Sequence, residues 1–483
     1  MSDAQLERIQ AALQDYWGYS ELRSPQAEVM AALLQRQDAL IVLPTGAGKS
    51  LCFQLPALLQ GGLTLVISPL LALMENQITE LRQRGLAAAA YHSELPSSQR
   101  RQILSHLRDY RLLYLSPESL FSSPLWQRLC SAQVHLNGLI VDEAHCLVQW
   151  GDRFRPVYRR LGTVRPTLRQ CKPQHPPLAI AAFTATADPR TQRTLIEVLG
   201  LKQPVQVIHS PYRANLHLAV RSVWSRGYRR HCLQQFLNEQ QGASGLIYAR
   251  TRRDCESLAM WLSQQGYCTT AYHGGLPAAQ RRSIEAAWLE GHIPFVVCTN
   301  AFGMGVNKAN VRWICHYQPP LQLSEYLQEV GRAGRDGQPA QALALVSDRW
   351  GLDREDQQRW QFFQRQSKEI YARAMALQAR LPLKGNLQEL RQHFPEVELT
   401  LALLHQQGRL RWQDPFHYCR QPLAQVPPPP QNTQEQLMQE FLYHRGCRWQ
   451  FLLQAFGFAT EARGLRCGHC DRCRLPRRSC KIP

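Results

Sequence analysis

The segment Thr45-Gly-Ala-Gly-Lys-Ser50 sets two glycines, a lysine and a hydroxyl at the spacing of a loop that wraps a phosphate. Backbone N–H groups around Gly46 and Gly48 would cradle a β-phosphate, Lys49 would reach the β/γ oxygens, and Ser50 would ligate Mg²⁺. Downstream, Asp142-Glu143-Ala144-His145 closes the apolar run Gly138–Val141. A carboxylate at a strand's C-terminal end can hold Mg²⁺ through water, and Glu143, one residue on, is placed to polarise an attacking water. His145 would link that pair to the rest of its lobe. Nearly three hundred residues after the loop, Gln328-Glu-Val-Gly-Arg-Ala-Gly-Arg-Asp-Gly337 offers Arg332 and Arg335 on a glycine-punctuated turn. If both segments serve one nucleotide triphosphate, its hydrolysis can move one lobe against another.

Two further clusters carry chemistry. Between Cys146 and Tyr158, Trp150, Phe154 and Tyr158 interleave with Arg153 and Arg155, the mixture of base-stacking rings and phosphate-pairing cations that single-stranded nucleic acid requires. Near the C-terminus, Cys467, Cys470 and Cys473 stand at two-residue intervals, so a closed tetrahedral site needs one more soft ligand.

Elements that could position these groups are legible in the apolar runs. Ala39–Leu43, Leu63–Ser68, Leu112–Leu115, Gly138–Val141 and Ala179–Phe183 read as buried strands alternating with helical patterns. The rhythm restarts after residue 210 with Gly245–Tyr248, Thr269–Tyr272, Phe295–Cys298, Val311–His316 and Ala342–Val346. Beyond about residue 349 it changes: helices are expected over Asn386–Gln392 and Leu399–Gln407, strands over Arg409–Gln413 and His417–Arg420, and Pro427–Pro430 is a stiff spacer. The expected fold is α/β: two tandem parallel-sheet lobes, 1–207 and 208–348, then a helical, winged-helix-like segment, 349–426, and a linker with a thiol-rich helical module, 427–483.

Composition restricts the function classes. A chain of 483 residues exceeds one core, and its net charge of +19 suits a polyanion partner. Residues 349–483 hold 21 basic and 12 acidic side chains against 35 and 25 in residues 1–348, so charge is densest at the C-terminal end. No run of 18 apolar residues and no signal-peptide pattern occurs, so the expectation is no membrane and a cytoplasmic location, nucleoid-associated if bacterial. Most of the fifteen cysteines are scattered singly, as in a reducing compartment.

Leu43 stands where the generic phosphate-loop pattern has glycine, so the match is to the xPTGxGKS form of helicases. The order of segments is more specific: Trp17–Gln26, TGAGKS, Ser68–Gln77, Ser116-Pro-Glu118, DEAH, Phe183-Thr-Ala-Thr-Ala187, Cys298–Lys308 and Gln328–Gly337 follow the sequence of superfamily 2 helicases. Over residues 1–348 the chain resembles the RecQ family of DNA helicases, which implies that the two lobes are RecA-like. That resemblance implies an ATP- and Mg²⁺-dependent enzyme that unwinds duplex DNA, moving 3′ to 5′, in repair, recombination or replication-fork maintenance. It also implies that Trp17 stacks on adenine, Arg23 and Gln26 read its edge, Thr184 and Thr186 couple ATP to DNA, and Arg335 is the arginine finger, with Arg332 at the nucleotide or, as the alternative, in a structural ion pair. Cys146–Tyr158 resembles the family's aromatic-rich loop, with Asp152-Arg153 where the family has His-Asp. His444–Leu453 resembles the helix supplying the first zinc ligand, which makes Cys447 the fourth Zn²⁺ ligand ahead of His469 and Cys480; an Fe–S cluster is the other use of four thiolates. With Pro483 as the last residue, the expectation is a short form without the common C-terminal winged helix or HRDC domain. The expected partners are single-stranded and forked duplex DNA, with single-strand-binding or recombination proteins, acting on a monomer. An RNA-dependent ATPase or remodeller and a DNA-binding protein with a decayed ATPase are the rival readings.

Overall fold

The computed structural model of the chain describes residues 3–148, 155–302, 308–348, 354–422 and 433–474. Two compact units divide it: Met1–Leu43, Ala47–His209 and Gln366–Pro430 form the first, and Pro44–Gly46, Ser210–Arg365 and Gln431–Pro483 the second.

The first unit is built on seven strands: β1 (Ala39–Val42), β2 (Leu63–Ile67), β3 (Ala88–Tyr91), β4 (Leu112–Leu115), β5 (Leu136–Val141), β6 (Ala179–Thr184) and β7 (Val205–Ile208), in the order β3-β4-β2-β5-β6-β1-β7. All pairings are parallel. Helices cover both faces, which is why the central strands are continuous apolar runs rather than alternating ones. β5, β6 and β1 are neighbours, and Val42 lies opposite Thr184, so the phosphate loop, the DEAH segment and the Thr184–Thr186 turn all leave the same sheet end. Binding at the carboxyl ends of parallel strands is the general rule for such sheets.

The second unit repeats the plan with β8 (Leu216–Val223), β9 (Gly245–Tyr248), β10 (Thr269–Tyr272), β11 (Phe295–Cys298), β12 (Trp313–His316) and β13 (Ala340–Ser347), ordered β10-β11-β9-β12-β13-β8 and parallel throughout. Gly245 permits close packing: a Cβ there would sit 2.1 Å from the Trp313 ring. The helices Thr433–Tyr443 and Arg448–Ala455 complete this core, with Met438, Phe441, Trp449 and Leu452 buried against Leu216 and Ile314, and Trp449 Nε1 donating to the Leu216 carbonyl at 3.1 Å.

The first unit also carries a small antiparallel sheet, β14 (Lys384–Asn386), β15 (Leu410–Trp412) and β16 (His417–Arg420), in the order β14-β16-β15. With the end of the long helix Glu355–Gln378 and the helices Leu387–His393 and Val397–Gln406 it makes a winged helix around Leu387, Leu401, Leu404 and Trp412.

The expected strands are all present, with ends shifted by a residue or two. β3, β7, β8 and β14, all edge strands, escape sequence reading. Ala88-Ala-Ala-Tyr91 has weak strand propensity, β7 and β8 are edges with partly exposed faces, and Lys384-Gly-Asn386 has no apolar residue. Among the described residues no helix is long and apolar enough to cross a membrane.

Candidate active site and metal centre

The phosphate loop is shaped by its glycines. Gly46 and Gly48 both take positive φ, 87° and 76°, and a Cβ on Gly48 would meet Gln26 Nε2 at 2.4 Å. Only glycine fits there. Gln26 is buried; its Nε2 donates to the Ala47 carbonyl at 3.1 Å and its Oε1 accepts from the Arg23 N–H at 2.9 Å. Arg23 and Gln26 are therefore tied to the loop itself. Trp17 is half-buried, with the Arg84 guanidinium 5.6 Å over its ring. Lys49 Nζ donates to the Leu43 carbonyl at 3.1 Å, and Ser50 Oγ accepts from Gln77 Nε2 at 2.6 Å. Gln77 is oriented in turn by the Tyr114 hydroxyl, 2.7 Å away.

Asp142 sits at the end of β5, buried, with its Oδ1 accepting the Glu143 N–H at 3.0 Å. Burial, then the neighbouring Glu143 charge, push its carboxyl up to about 7, with Lys49 acting in the opposite sense. A carboxylate this costly to ionise has a reason to accept a divalent cation beside it. Glu143 takes a left-handed backbone (φ 46°), a conformation rare outside glycine and frequent at functional sites. Its Oε2 lies 3.3 Å from His145 Nδ1, which is 3.0 Å from Thr184 Oγ1. Thr184 Oγ1 accepts the Thr186 N–H at 3.2 Å. Glu143, His145, Thr184 and Thr186 thus form one polar chain through a buried region.

Arg332 and Arg335 follow the helix Leu323–Val330, and both are half-buried. The charge of Arg332 faces the buried Tyr248 hydroxyl. Arg335 turns elsewhere: its Cγ is 3.4 Å from where a Cβ on Gly46 would stand, within the second unit. Thr45, in the same unit, donates its hydroxyl to the Gly331 carbonyl at 2.8 Å.

The aromatic segment is resolved into different roles. Trp150, Arg153 and Phe154, with Asp152, lie outside the described residues. Arg155 Nη1 reaches both carboxylate oxygens of Glu118 at 3.3 Å. Tyr158 corrects the expectation: it is fully buried in the first unit's core beside Leu161 and Val157, so its ring packs the lobe and is not available to stack on a base. Its spacing from the buried Leu161, three residues on, is a core signal, not a surface one.

The four thiols converge. Sγ atoms of Cys447, Cys467, Cys470 and Cys473 all lie within 4.8 Å of one another, close to the ~3.8 Å tetrahedron edge implied by a Zn–S bond of about 2.3 Å. The Cys470 N–H also points at Cys467 Sγ, 3.3 Å away. His469 is turned out of this group, with Nδ1 2.7 Å from the Cys467 carbonyl, and Cys480 lies outside the described residues. Arg448 locks the two ligand-bearing segments through Asp471 with paired contacts of 3.0 Å. The donor set is that of a soft-metal site.

Of the residues that sequence reading left without a role, Gln77 closes the Ser68–Gln77 segment, a signal that could have found it, whereas Arg84 belongs to no motif at all.

The family model described as DEAD/DEAH box helicase matches residues 23–195, and the Helicase conserved C-terminal domain matches 228–337. The chain is 50% identical to the ATP-dependent DNA helicase RecQ of Synechocystis sp. over 98% of its own length and 100% of that protein's. It is 36% identical to the probable ATP-dependent DNA helicase RecS of Bacillus subtilis, over 70% and 67% respectively. Among solved structures, the helicase Lhr of Mycobacterium smegmatis bound to ssDNA and AMP-PNP superposes with a TM-score of 0.58 at 20% identity, covering 90% of this chain and 62% of that one. The helicase MrfA bound to DNA gives 0.61 at 19%, covering 87% and 60%, a likeness of fold. The motif order, the paired parallel sheets and full-length identity to a RecQ protein converge: this chain belongs to the RecQ family of ATP-dependent DNA helicases.

Proposed function

We propose that this protein moves 3′ to 5′ on single-stranded DNA and separates duplexes at forks, with Lys49, Ser50, Asp142, Glu143 and Arg335 carrying ATP hydrolysis. The observation that carries the reading is the chain Glu143–His145–Thr184–Thr186. It gives the water-polarising carboxylate a physical connection to a turn at the sheet end. A change of nucleotide state at Glu143 is then felt at Thr184 and Thr186, where the DNA path is expected. Mg²⁺ held by Ser50 and Asp142 would supply positive charge to the β/γ-phosphates. Lys49 neutralises the same oxygens, and Arg335 contributes the charge that grows in the transition state. Arg332 keeps a structural role toward Tyr248. Trp17 and Gln26 position the base end of the nucleotide. Trp150, Arg153, Phe154 and Arg155 grip single-stranded DNA.

Zinc is the metal that four closed thiolates favour, and its role is structural, since four protein thiolates leave no coordination position open for a substrate. The working form is a cytoplasmic monomer that meets single-strand-binding or recombination proteins at its substrates. The test is ATP hydrolysis titrated with single-stranded DNA and, in parallel, single-stranded RNA of the same sequence. DNA stimulation that disappears in Lys49→Ala supports the reading; equal or greater stimulation by RNA overturns it.

A further inference from the structure

A winged helix ordinarily meets nucleic acid with its second motif helix and its hairpin. Here both are occupied within the first unit. The helix Val397–Gln406 packs against the 3-10 helix Pro156–Thr163 with Glu398 and His405 facing Arg160 and Arg159, while Val397, Leu401 and Leu404 on its other side fill the module's own core. At the hairpin turn, the Pro415 carbonyl accepts Arg160 Nη1 at 3.0 Å, while Arg160 Nη2 pairs with Glu398 at 2.9 Å. Phe416 sets its ring edge-on to Phe121 and Trp126, with centroids 6.3 and 5.9 Å apart. The Arg160 guanidinium also lies 4.7 Å over the Phe121 ring and 5.8 Å over that of Trp412. Arg160 is 2% exposed, so one planar fork joins helix, turn and two aromatic rings out of water, a task lysine's point charge cannot reproduce. Next to it the buried Arg159 faces His405 on the same module helix.

We infer that the winged-helix module is a bracket on the first lobe and does not read or split DNA, and that Arg160 is the positioning residue by which it holds the Pro156–Thr163 helix. That helix starts two residues after Phe154, so the bracket fixes the C-terminal anchor of the segment proposed to sense DNA. The inference rests on the DNA-dependent ATPase proposed above. It separates two groups of basic residues: the buried Arg160, whose loss uncouples DNA from ATP, and the exposed Arg409 and Arg411 flanking and on β15, whose loss changes little.

The experiment compares wild type, Arg160→Met, Glu398→Gln, Phe416→Ala and the double variant Arg409→Glu/Arg411→Glu. Basal ATPase, ATP KM, the DNA concentration for half-maximal stimulation and fork unwinding are measured well below each variant's melting temperature. Arg160→Met is expected to raise the half-stimulating DNA concentration about tenfold, a usual size for coupling between sites, with basal turnover and ATP KM within about twofold of wild type. Phe416→Ala and Glu398→Gln move the same quantity by smaller factors and keep the test open if Arg160→Met does not fold. The double charge reversal leaves unwinding within about twofold, as expected for exposed residues outside the coupling path. Equal loss of basal and stimulated turnover in all three bracket variants, or loss of unwinding in Arg409→Glu/Arg411→Glu with ATPase retained, overturns the inference. A wild-type ATPase indifferent to DNA overturns the helicase reading itself, a result visible before any variant is compared.

Discussion

Replacing Asp142 by asparagine should stabilise the nucleotide-free protein while abolishing its ATPase. The carboxyl is buried, and burial together with the Glu143 charge holds it near 7 against an ordinary 3.8. A folded-state value raised above the unfolded one means the native state retains a proton that the unfolded chain releases. Stability from this group is therefore complete below the unfolded value and is lost as pH rises through about 4 to about 7. The gap of roughly 3 pH units corresponds to at most about 4 kcal/mol carried against folding at about pH 8. An asparagine side chain has the same shape and no proton to lose, so Asp142→Asn should recover a large part of that difference at about pH 8 and little at about pH 5. Urea unfolding of both proteins in chelator at the two pH values provides the assay. Adding Mg²⁺ and a non-hydrolysable ATP analogue should then raise wild type more than the variant, because the ion uses the ionised carboxylate. Identical pH dependence of the two proteins, or a variant less stable at the higher pH, would refute the reasoning. A site that costs stability when unliganded is the usual trade between activity and folding.

Three other outcomes follow from particular contacts. Arg335→Ala should lower DNA-stimulated ATP turnover by about 10³-fold or more, as loss of an arginine finger does, while Arg332→Ala acts mainly on thermal stability through Tyr248; the two are compared by steady-state kinetics and melting temperature. Thr184→Val removes one of the two partners described for His145 Nδ1 and should reduce DNA stimulation about tenfold with basal turnover nearly kept, measured by DNA titration of the ATPase. Cys447→Ser should lower the metal bound by the four-thiol site, read by mass spectrometry of the metal, and depress the melting temperature of the second unit, because metal affinity there is folding free energy.

The parts of this molecule written as local patterns were legible in the sequence. Buried parallel strands announce themselves as apolar runs, and TGAGKS, DEAH and the spaced cysteines need particular residues at particular spacings. The residues that escaped are those whose meaning is set by a distant partner. Gln77 matters because it reaches Ser50, and Arg84 because it lies on Trp17. Arg229 pairs with Asp356 at 2.8 Å in complete burial, 127 positions apart, and neither belongs to a motif. Arg160 reads as one more cation after the aromatic segment until Pro415 and Glu398 are placed beside it. Tyr158 misleads in the opposite direction, because an aromatic in an arginine-rich stretch looks like a DNA contact and is a core ring.

The central claim is that ATP hydrolysis at Lys49, Asp142 and Glu143 drives directional DNA unwinding. Strand displacement on forked duplexes with a single 3′ or 5′ tail, in ATP and Mg²⁺ with Lys49→Ala alongside, tests it most directly. The account predicts displacement of the 3′-tailed substrate by wild type and none by the variant; displacement confined to the 5′-tailed substrate, or surviving in Lys49→Ala, would contradict it.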